Sequence, residues 1–488
     1  MPAADITTSP DDVTEVVPSS PTQAEIEAEP TLEVGETEQQ NPTPLPVEET
    51  AISTPLAQEY PITGIEMHTI DQRGGLDLVN HSGADWVRRN ALLWSQVEPQ
   101  MGVRDWDAVT DLEDELVNAA EDGLEVILIV RSTPNWAQKV PGYSCGPVSM
   151  DKLTAFAEFM RDTVARYSVP PYNVKYFEIW NEPDIAPHYV DPNNIFGCWG
   201  DEYSPFYGGD YYAEMLKIIY PQVKNANPDA QLLVGGLLLD CDPLNPPLVS
   251  SDSGEKKKDC TPSRFLEGIL HNGGGSFFDG VSFHAYDYYS GAYTYSNANW
   301  HSIWDVNGPV VSAKVDYLRG LLTTSGFGNK FLMNTESGLL CGRDGKEPAC
   351  LADEFQITKA YYAAQANATA MALGLRANVW YSITGWRGTA LVDKSLQPYP
   401  AYNSLSFSAT KLHGSMYNGE IDQYLGVKGY EFERDGTLIW FLWSLDGEEH
   451  SVQFSTVPSA VYDVFGLPVN TTQEFMVTRA PVYIEWTP

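Results

Sequence analysis

Short apolar runs alternate with stretches of helical periodicity from Pro61 to about residue 412. The runs have strand length, whereas Leu153, Phe156 and Met160 recur at the spacing of one helix face. Strands that alternate with helices are typical of β–α units and a parallel sheet. The predicted strands are Ile62–Met67, Trp86–Asn90, Glu125–Arg131, Val174–Trp180, Gln231–Leu238, Gly280–Ala285, Lys330–Thr335 and Asn378–Ile383.

Helical patterns fill the intervals between these strands. Eight strands with seven or eight helices fit a (β/α)8 TIM barrel. A doubly wound sheet is the alternative, but no Gly-x-Gly-x-x-Gly turn follows any strand. Helices are predicted at 109–119, 153–164, Asp210–Val223, Ala313–Leu322 and Glu354–Leu373.

The pattern of apolar residues changes after about Gly414: the helical periodicity ends, and short apolar runs are separated by turn residues. This pattern predicts a small antiparallel β-sandwich over residues 413–488, after a barrel at 59–412. Its predicted strands are Tyr430–Arg434, Thr437–Trp443, His450–Phe454, Ala460–Val464 and Val482–Trp486.

The segment before Tyr60 contains no Lys, Arg or aromatic residue and is rich in Pro, Thr and Glu. Such a composition cannot bury enough apolar surface to offset its ordering entropy, so residues 1–58 are predicted to be a disordered acidic linker. No signal peptide pattern precedes it. Because tails of this kind usually follow an export signal or a lipid anchor, we expect a secreted or cell-surface protein whose tail is a tether.

Composition narrows the possible partners. The chain of 488 residues carries a formal net charge of −37, which disfavours nucleic acid and anionic membrane surfaces. No run of 18 apolar residues is present, so no membrane span is predicted. None of the six cysteines forms a Cys-x-x-Cys pair, and no cluster has metal-ligand spacing, so neither a metal nor another cofactor is expected.

The cysteines point instead to disulfide bonds. Six cysteines allow 15 complete pairings, and free thiols in a cytosolic enzyme are the alternative. Proximity in sequence favours Cys241 with Cys260 and Cys341 with Cys350, which leaves Cys145 with Cys198.

Two glutamates follow predicted strands at the end where barrel active sites lie. Strand four leads into Trp180-Asn181-Glu182-Pro183, and strand seven leads into Asn334-Thr335-Glu336-Ser337. A pair of facing carboxyl groups suits cleavage of a glycosidic bond, because one can protonate the leaving oxygen while the other attacks or activates water. Surface acids in an acidic chain are the alternative interpretation.

With these motifs the chain resembles clan GH-A retaining glycoside hydrolases, and most of all glycoside hydrolase family 39. The resemblance implies that Glu182 is the acid/base, Glu336 the nucleophile and Asn181 the amide that binds the sugar 2-hydroxyl. Further motifs that carry it are Trp86-Val87-Arg88, Trp94, Val97-Glu98-Pro99, Pro134-Asn135-Trp136-Ala137, Phe283-His284-Ala285-Tyr286, Gly388-Thr389-Ala390-Leu391-Val392-Asp393 and Ala480-Pro481-Val482-Tyr483-Ile484.

The resemblance also implies supporting residues. Arg88 matches the clan's strand-two arginine that supports the nucleophile; a buried ion pair with Glu178 is the structural alternative, and Arg89 is a rival. His284 and Tyr286 share a face of strand six, and Tyr286 is placed to donate to the nucleophile. Both also suit core packing.

Aromatic residues near the strand ends are candidates for sugar contacts. Trp380 and Trp386 are expected to offer an aromatic floor, Trp136 is expected to act from the strand-three loop, and His68 is a further candidate. Core packing is an equally good explanation for each tryptophan.

The expected function is retaining hydrolysis of a neutral oligo- or polysaccharide from plant or microbial sources. The resemblance implies β-xylosidase, α-L-arabinosidase or endo-β-glycanase activity. A transglycosylase with the same residues and a non-catalytic carbohydrate-binding protein remain alternatives. The loops around the predicted cleft are individual to this chain, so exo or endo action is not predicted.

Overall fold

The computed structural model describes residues 61–191, 197–251, 254–291 and 299–487. The predicted linker at 1–58 lies outside these residues, and the division of the rest at 412/413 into two domains stays a prediction.

Eight parallel strands form a closed barrel. Each strand pairs with the next, and the last pairs with the first, which closes the ring. The predicted TIM barrel is therefore confirmed. Its strands are β1 Thr63–Glu66, β2 Trp86–Leu93, β3 Glu125–Arg131, β4 Tyr176–Asn181, β5 Gln231–Leu237, β6 Gly280–Tyr289, β7 Phe331–Leu340 and β8 Asn378–Trp380.

Helices follow the strands and cover the outside of the barrel. Those at the predicted positions begin and end within a few residues of the prediction. Among the described residues five further helices were not predicted, namely Leu76–His81, Trp94–Val97, Phe265–His271, Pro348–Leu351 and Pro400–Leu412; the first four have at most seven residues. The helices are α1 Leu76–His81, α2 Trp94–Val97, α3 Thr110–Glu121, α4 Leu153–Tyr167, α5 Gly209–Ala226, α6 Phe265–His271, α7 Val311–Thr324, α8 Pro348–Leu351, α9 Asp353–Ala372 and α10 Pro400–Leu412.

Short 3-10 turns and two- to four-residue strands lie in the loops of the barrel. The 3-10 turns are Trp106–Val109, Asn135–Ala137, Met150–Lys152, Pro187–Tyr189, Thr261–Arg264 and Gly274–Ser276, and the short strands are Leu248–Ser251, Gly254–Lys257 and Trp300–His301.

Apolar residues on both faces explain why the strands form a barrel. In β3 every residue from Val126 to Val130 is buried, because one face points into the barrel and the other packs under the helices. In α4, Phe156, Met160 and Val164 are fully buried along one stripe. These packed layers hold the strand ends rigid, and loops at one end carry the polar residues.

Two antiparallel sheets follow the barrel. Five strands pair in the order Met416–Glu420, Val427–Arg434, Thr437–Ser444, Val482–Trp486 and Ala460–Asp463, and His450–Gln453 pairs with Glu474–Val477. Val452 and Phe454 pack with Leu442 and Ile484 in a shared core, which confirms the sandwich. The strands are β9 Met416–Glu420, β10 Val427–Arg434, β11 Thr437–Ser444, β12 His450–Gln453, β13 Ala460–Asp463, β14 Glu474–Val477 and β15 Val482–Trp486; β9 and β14 were not predicted.

The cysteines pair as sequence proximity favoured. The bridges are Cys145–Cys198, Cys241–Cys260 and Cys341–Cys350, which excludes the free-thiol alternative. Within the described ranges no helix is long and apolar enough to cross a lipid bilayer.

Candidate active site

Strand register brings the predicted residues together at the C-terminal end of the barrel. Asn181 ends β4, and Glu182 follows it. Along the β6–β7 pair, Glu336 lies beside His284, and Gly338 lies beside Tyr286. Side chains from strands more than 100 residues apart in sequence therefore converge on one point.

The carboxyl groups of Glu182 and Glu336 face each other beside His284. The Nδ1 atom of His284 lies 2.9 Å from Glu182 Oε1 and 3.5 Å from Glu336 Oε2. One oxygen of each carboxyl and one nitrogen of the ring lie within 4.8 Å of one another. Both glutamates are about 6% exposed and line a cavity, so solutes reach an otherwise buried pair.

Arg88 on β2 donates hydrogen bonds to the acidic residues around this site. Its Nη1 donates to Glu336 Oε1 at 2.5 Å and to Glu66 Oε2 at 2.6 Å. Its Nη2 donates to Glu178 Oε1 at 2.5 Å and to Asn181 Oδ1 at 2.6 Å. The sequence offered support of Glu336 and an ion pair with Glu178 as alternative roles for Arg88. Its fully buried guanidinium makes both contacts.

Arg89, the rival for this position, pairs with a different carboxyl group. Its Nε and Nη2 donate to Glu115 of α3, at 2.5 and 3.0 Å. Arg89 also lines the cavity, but of the two arginines only Arg88 donates a hydrogen bond to Glu336.

Tyr286 completes the support of Glu336. Its hydroxyl donates to Glu336 Oε2 at 2.5 Å, so each oxygen of Glu336 accepts a hydrogen bond from a different side. The hydroxyl proton is firmly held, because burial and the charge of Glu336 raise the pKa of Tyr286 well above its usual value.

Burial and mutual charge set the protonation of the pair. Burial and the negative charge of Glu336 raise the pKa of Glu182 well above its ordinary value. Burial also raises the pKa of Glu336, but Arg88 and Tyr286 oppose this shift. Only Glu336 accepts hydrogen bonds from Arg88 and Tyr286, which stabilise its ionised form. When the two carboxyl groups share one proton, that proton therefore resides on Glu182.

The hydrogen-bond network fixes the orientation of two polar side chains. Burial and Arg88 lower the pKa of His284 well below its usual value, so its ring is neutral. Arg88 Nη2 lies 3.4 Å from Nε2 and can only donate, which leaves the proton on Nδ1, next to Glu182. The same reasoning makes Oδ1 of Asn181 the acceptor from Arg88, and among the described residues its Nδ2 has no acceptor, so it can donate to a ligand in the cavity that Asn181 lines.

The cavity has a volume of about 520 Å³, within the usual range for small-ligand sites. His68 and Trp386, both expected to contact sugar, lie on its wall, and Trp386 is 47% exposed. Lining residues are Glu66, Met67, His68, Arg89, Asn90, Asn181, Glu182, Leu238, Tyr286, Tyr288, Glu336, Leu340, Tyr381, Gly385, Trp386 and Arg387.

Two expected aromatic contacts are corrected. Trp380 is 1% exposed, and its indole N–H donates to the Thr389 carbonyl at 2.8 Å, so it packs in the core. Trp136 donates to the Glu98 carbonyl at 3.0 Å and packs edge-on against Trp94, away from the cavity wall.

Sequence reasoning missed several residues of the wall. Tyr381 directly follows the last residue of β8 and lines the cavity, whereas Trp380 does not. Glu66 is an acid at the end of an apolar strand, the same signal that singled out Glu182 and Glu336. Tyr288 lies on β6, beyond the end predicted for that strand at Ala285, and Arg387 lies in a loop, where no periodicity marks it.

Glu182, His284 and Glu336 also present three atoms that could serve as metal ligands. The guanidinium of Arg88 already neutralises Glu336 at 2.5 Å and repels a second cation there. The arrangement therefore suits hydrogen-bonded carboxyl groups better than a metal centre.

Comparison with known proteins identifies the fold. No protein-family model matches the chain, and no curated protein is detectably similar to it in sequence. Among solved structures, a family 39 glycoside hydrolase from the gut symbiont Bacteroides cellulosilyticus WH2 superimposes with a TM-score of 0.62 at 18% identity, covering 88% of this chain and 82% of that one.

Two further structures have the same architecture. A GH30 endoxylanase from Clostridium papyrosolvens C71 gives a TM-score of 0.57 at 14% identity, with 89% of this chain and 98% of that chain covered. A monomeric β-xylosidase from Caulobacter crescentus CB15 gives 0.55 at 14% identity, with 89% and 97% covered. The chain thus has the fold of the family 39 and family 30 glycoside hydrolases, and the sequence resemblance to clan GH-A and family 39 is confirmed.

Proposed function

We propose that this protein is a retaining glycoside hydrolase that cleaves O-glycosidic bonds by double displacement. The observation that carries the proposal is the approach of the Glu182 and Glu336 carboxyl groups to within 4.8 Å across an accessible cavity. Carboxyl separations of about 5–5.5 Å are typical of retaining enzymes, whereas inverting enzymes leave about 6.5–9.5 Å for a water molecule.

In the first step Glu336 attacks the anomeric carbon and Glu182 protonates the departing oxygen. The bond from the anomeric carbon to the leaving group breaks as an ester to Glu336 forms. Arg88 and Tyr286 hold the attacking carboxylate in place, and the raised pKa of Glu182 keeps its proton available.

In the second step water replaces the enzyme at the anomeric carbon. Esterification removes the charge of Glu336, so the pKa of Glu182 falls and its carboxylate acts as general base. Glu182 takes a proton from the attacking water, the ester bond breaks, and the enzyme returns to its first state. The free Nδ2 of Asn181 donates to the sugar 2-hydroxyl, a contact that strengthens in the transition state.

The substrate class follows from the cavity and from the structural relatives. Trp386 offers an apolar surface to a sugar ring, and polar groups surround it. Since the similar structures include a β-xylosidase and an endoxylanase, xylose-configured neutral saccharides come first among candidates. Three disulfides favour action outside the cytosol, so we place the enzyme in the secreted or cell-surface fraction.

A panel of aryl glycosides and oligosaccharides tests the proposal with wild type, Glu182→Gln and Glu336→Gln. Glu336→Gln should abolish cleavage. Glu182→Gln should spare substrates with good leaving groups, and added azide should accelerate it. The matched control is Glu113→Gln, because Glu113 binds Arg166 on the outer face of the barrel and should not affect turnover.

Product analysis completes the test. Proton NMR should show the same anomeric configuration in substrate and first product, and inversion would contradict the double displacement. A product in which an added acceptor sugar is glycosylated would instead indicate transglycosylation. If the panel and polysaccharides are bound but not cleaved, the protein is a binding protein.

A further inference from the structure

Glu66 is a third carboxyl group in the cavity, and the mechanism above does not use it. Its side chain is only 4% exposed, yet it lines the cavity at the end of β1. Its Oε2 accepts from Arg88 Nη1 at 2.6 Å, and among the described residues nothing donates a hydrogen bond to Oε1. Because Glu66 lines the cavity, a hydroxyl group of a ligand can pair with Oε1.

The position of Glu66 relative to the other two carboxyl groups is defined by Arg88. Nη1 of Arg88 joins Glu66 to Glu336 Oε1. The other oxygen of Glu336 faces Tyr286 and His284, on the side of Glu182. Glu66 and Glu182 therefore flank opposite edges of the Glu336 carboxyl group.

We propose that Glu66 binds the non-anomeric hydroxyl groups of the sugar whose anomeric carbon lies over Glu336. This proposal rests on the proposed function. With the leaving oxygen directed at Glu182, the opposite end of the ring, with its 3- and 4-hydroxyl groups, lies toward Glu66. The enzyme would then select sugars whose hydroxyl groups at that end are free.

The chemistry of Glu66 fits this role. Burial, opposed by Arg88, raises the pKa of Glu66 to about 8, so its carboxyl can both donate and accept near neutral pH. Sugar hydroxyl groups do the same. Tyr381 and Trp386 lie on the same cavity wall, where they can contact the ring alongside the carboxyl group.

A structural role through Arg88 is the competing explanation, and Glu178 provides the matched control. Glu178 also binds Arg88, at 2.5 Å, but it is fully buried and does not line the cavity. Glu66→Ala, Glu66→Gln and Glu178→Gln are therefore compared with wild type. The probes are the best aryl glycoside of the panel and its 3-deoxy and 4-deoxy analogues.

The expected result is a coupling between Glu66 and one hydroxyl group. Wild type should lose about 10- to 100-fold in kcat/KM on the relevant deoxy substrate, as expected for a hydrogen bond to an ionisable group. For Glu66→Ala and for Glu66→Gln, the kcat/KM values on the deoxy substrate and on its parent should differ by less than about threefold. Glu178→Gln should keep the discrimination of wild type while lowering both rates.

Binding gives a readout that does not depend on turnover. Calorimetry with xylo- and gluco-configured piperidine iminosugars and their monodeoxy analogues should show the same coupling in Kd. If the Glu66 variants discriminate parent from deoxy ligands as wild type does, Glu66 acts only through Arg88 and the proposal is wrong. If no substrate is cleaved but Glu66 and one ligand hydroxyl group are still coupled in Kd, the proposed function is wrong and the assignment of Glu66 stands.

Discussion

The imidazole of His284 lies between the two proposed reacting carboxyl groups, with Nδ1 2.9 Å from Glu182 Oε1 and 3.5 Å from Glu336 Oε2. This contact is possible because Gly236 of the neighbouring strand has no side chain; a Cβ at that position would collide with the ring. Because the neutral ring adds no charge, Glu182 and Glu336 influence each other electrostatically and through Arg88.

The first prediction concerns this electrostatic coupling. Glu336→Gln removes a negative charge that raises the pKa of Glu182, so deprotonation becomes easier and the pKa should fall. Carbon-13 NMR titration of labelled glutamate carboxyls measures it, with Glu182→Gln used to assign the signal. An unchanged titration of Glu182 would show that burial alone sets its pKa.

A second prediction concerns the Cys145–Cys198 bridge as a support for Glu182. Glu182 and Trp180 have φ angles of 48° and 69°, a left-handed region that non-glycine residues keep only when their surroundings hold them. The bridge supplies such contacts: Cys145 O accepts from Trp180 Nε1 at 2.8 Å and from Cys198 N at 2.9 Å, and Gly197 N donates to the Asn181 carbonyl.

Replacing both cysteines of this bridge by serine should therefore displace the acid more than the nucleophile. We expect kcat to fall by about 10- to 100-fold on substrates with poor leaving groups and far less on activated aryl glycosides. The control is the double serine variant of Cys241–Cys260, which closes a different loop. Equal losses on both substrate types would mean general destabilisation.

The third prediction separates two tryptophans that look alike in sequence. Trp386→Ala should raise KM by about 3- to 10-fold, the value of a lost aromatic contact, with little change in Tm. Trp380→Ala should lower stability by about 3–5 kcal/mol, because it empties a core position. Kinetics and thermal unfolding distinguish the two, and the reverse pattern would contradict the assignment.

The fourth prediction uses Lys359, which is buried beneath the loop that carries Trp386. Its Nζ donates to the Gly388 and Ala390 carbonyls at 2.9 and 2.6 Å, and burial lowers its pKa to about 7. Between about pH 7 and pH 10.4 the unfolded chain binds a proton that the native state does not. Stability from this group is therefore full above that window and is lost as the pH falls toward 7.

The measurement is Tm against pH for wild type and Lys359→Met. From pH 7 to pH 10 the Tm difference, wild type minus variant, should rise, since only wild type has this proton linkage. A difference independent of pH would show that the lysine remains charged in the native state.

The sequence by itself determined the barrel and the positions of the two glutamates. Uninterrupted apolar runs such as Val126–Val130 need cover on both faces, and only a parallel sheet under helices provides it. Once the strands were located, Glu182 followed at the end of β4, and Glu336 followed the predicted end of strand seven, although the observed strand β7 continues to Leu340. Proximity along the chain also predicted the disulfide pairs, because closing a short loop between two cysteines costs little conformational entropy.

The tertiary structure decided which side chains meet. Alternation along a strand gives the face of a residue but not its partners, so four acceptors on one Arg88 appeared only when β1, β2, β4 and β7 closed into a ring. Closure placed Glu66 in the cavity and Trp380 in the core. Distances between groups from separate strands depend on register and barrel closure, which local sequence patterns do not encode.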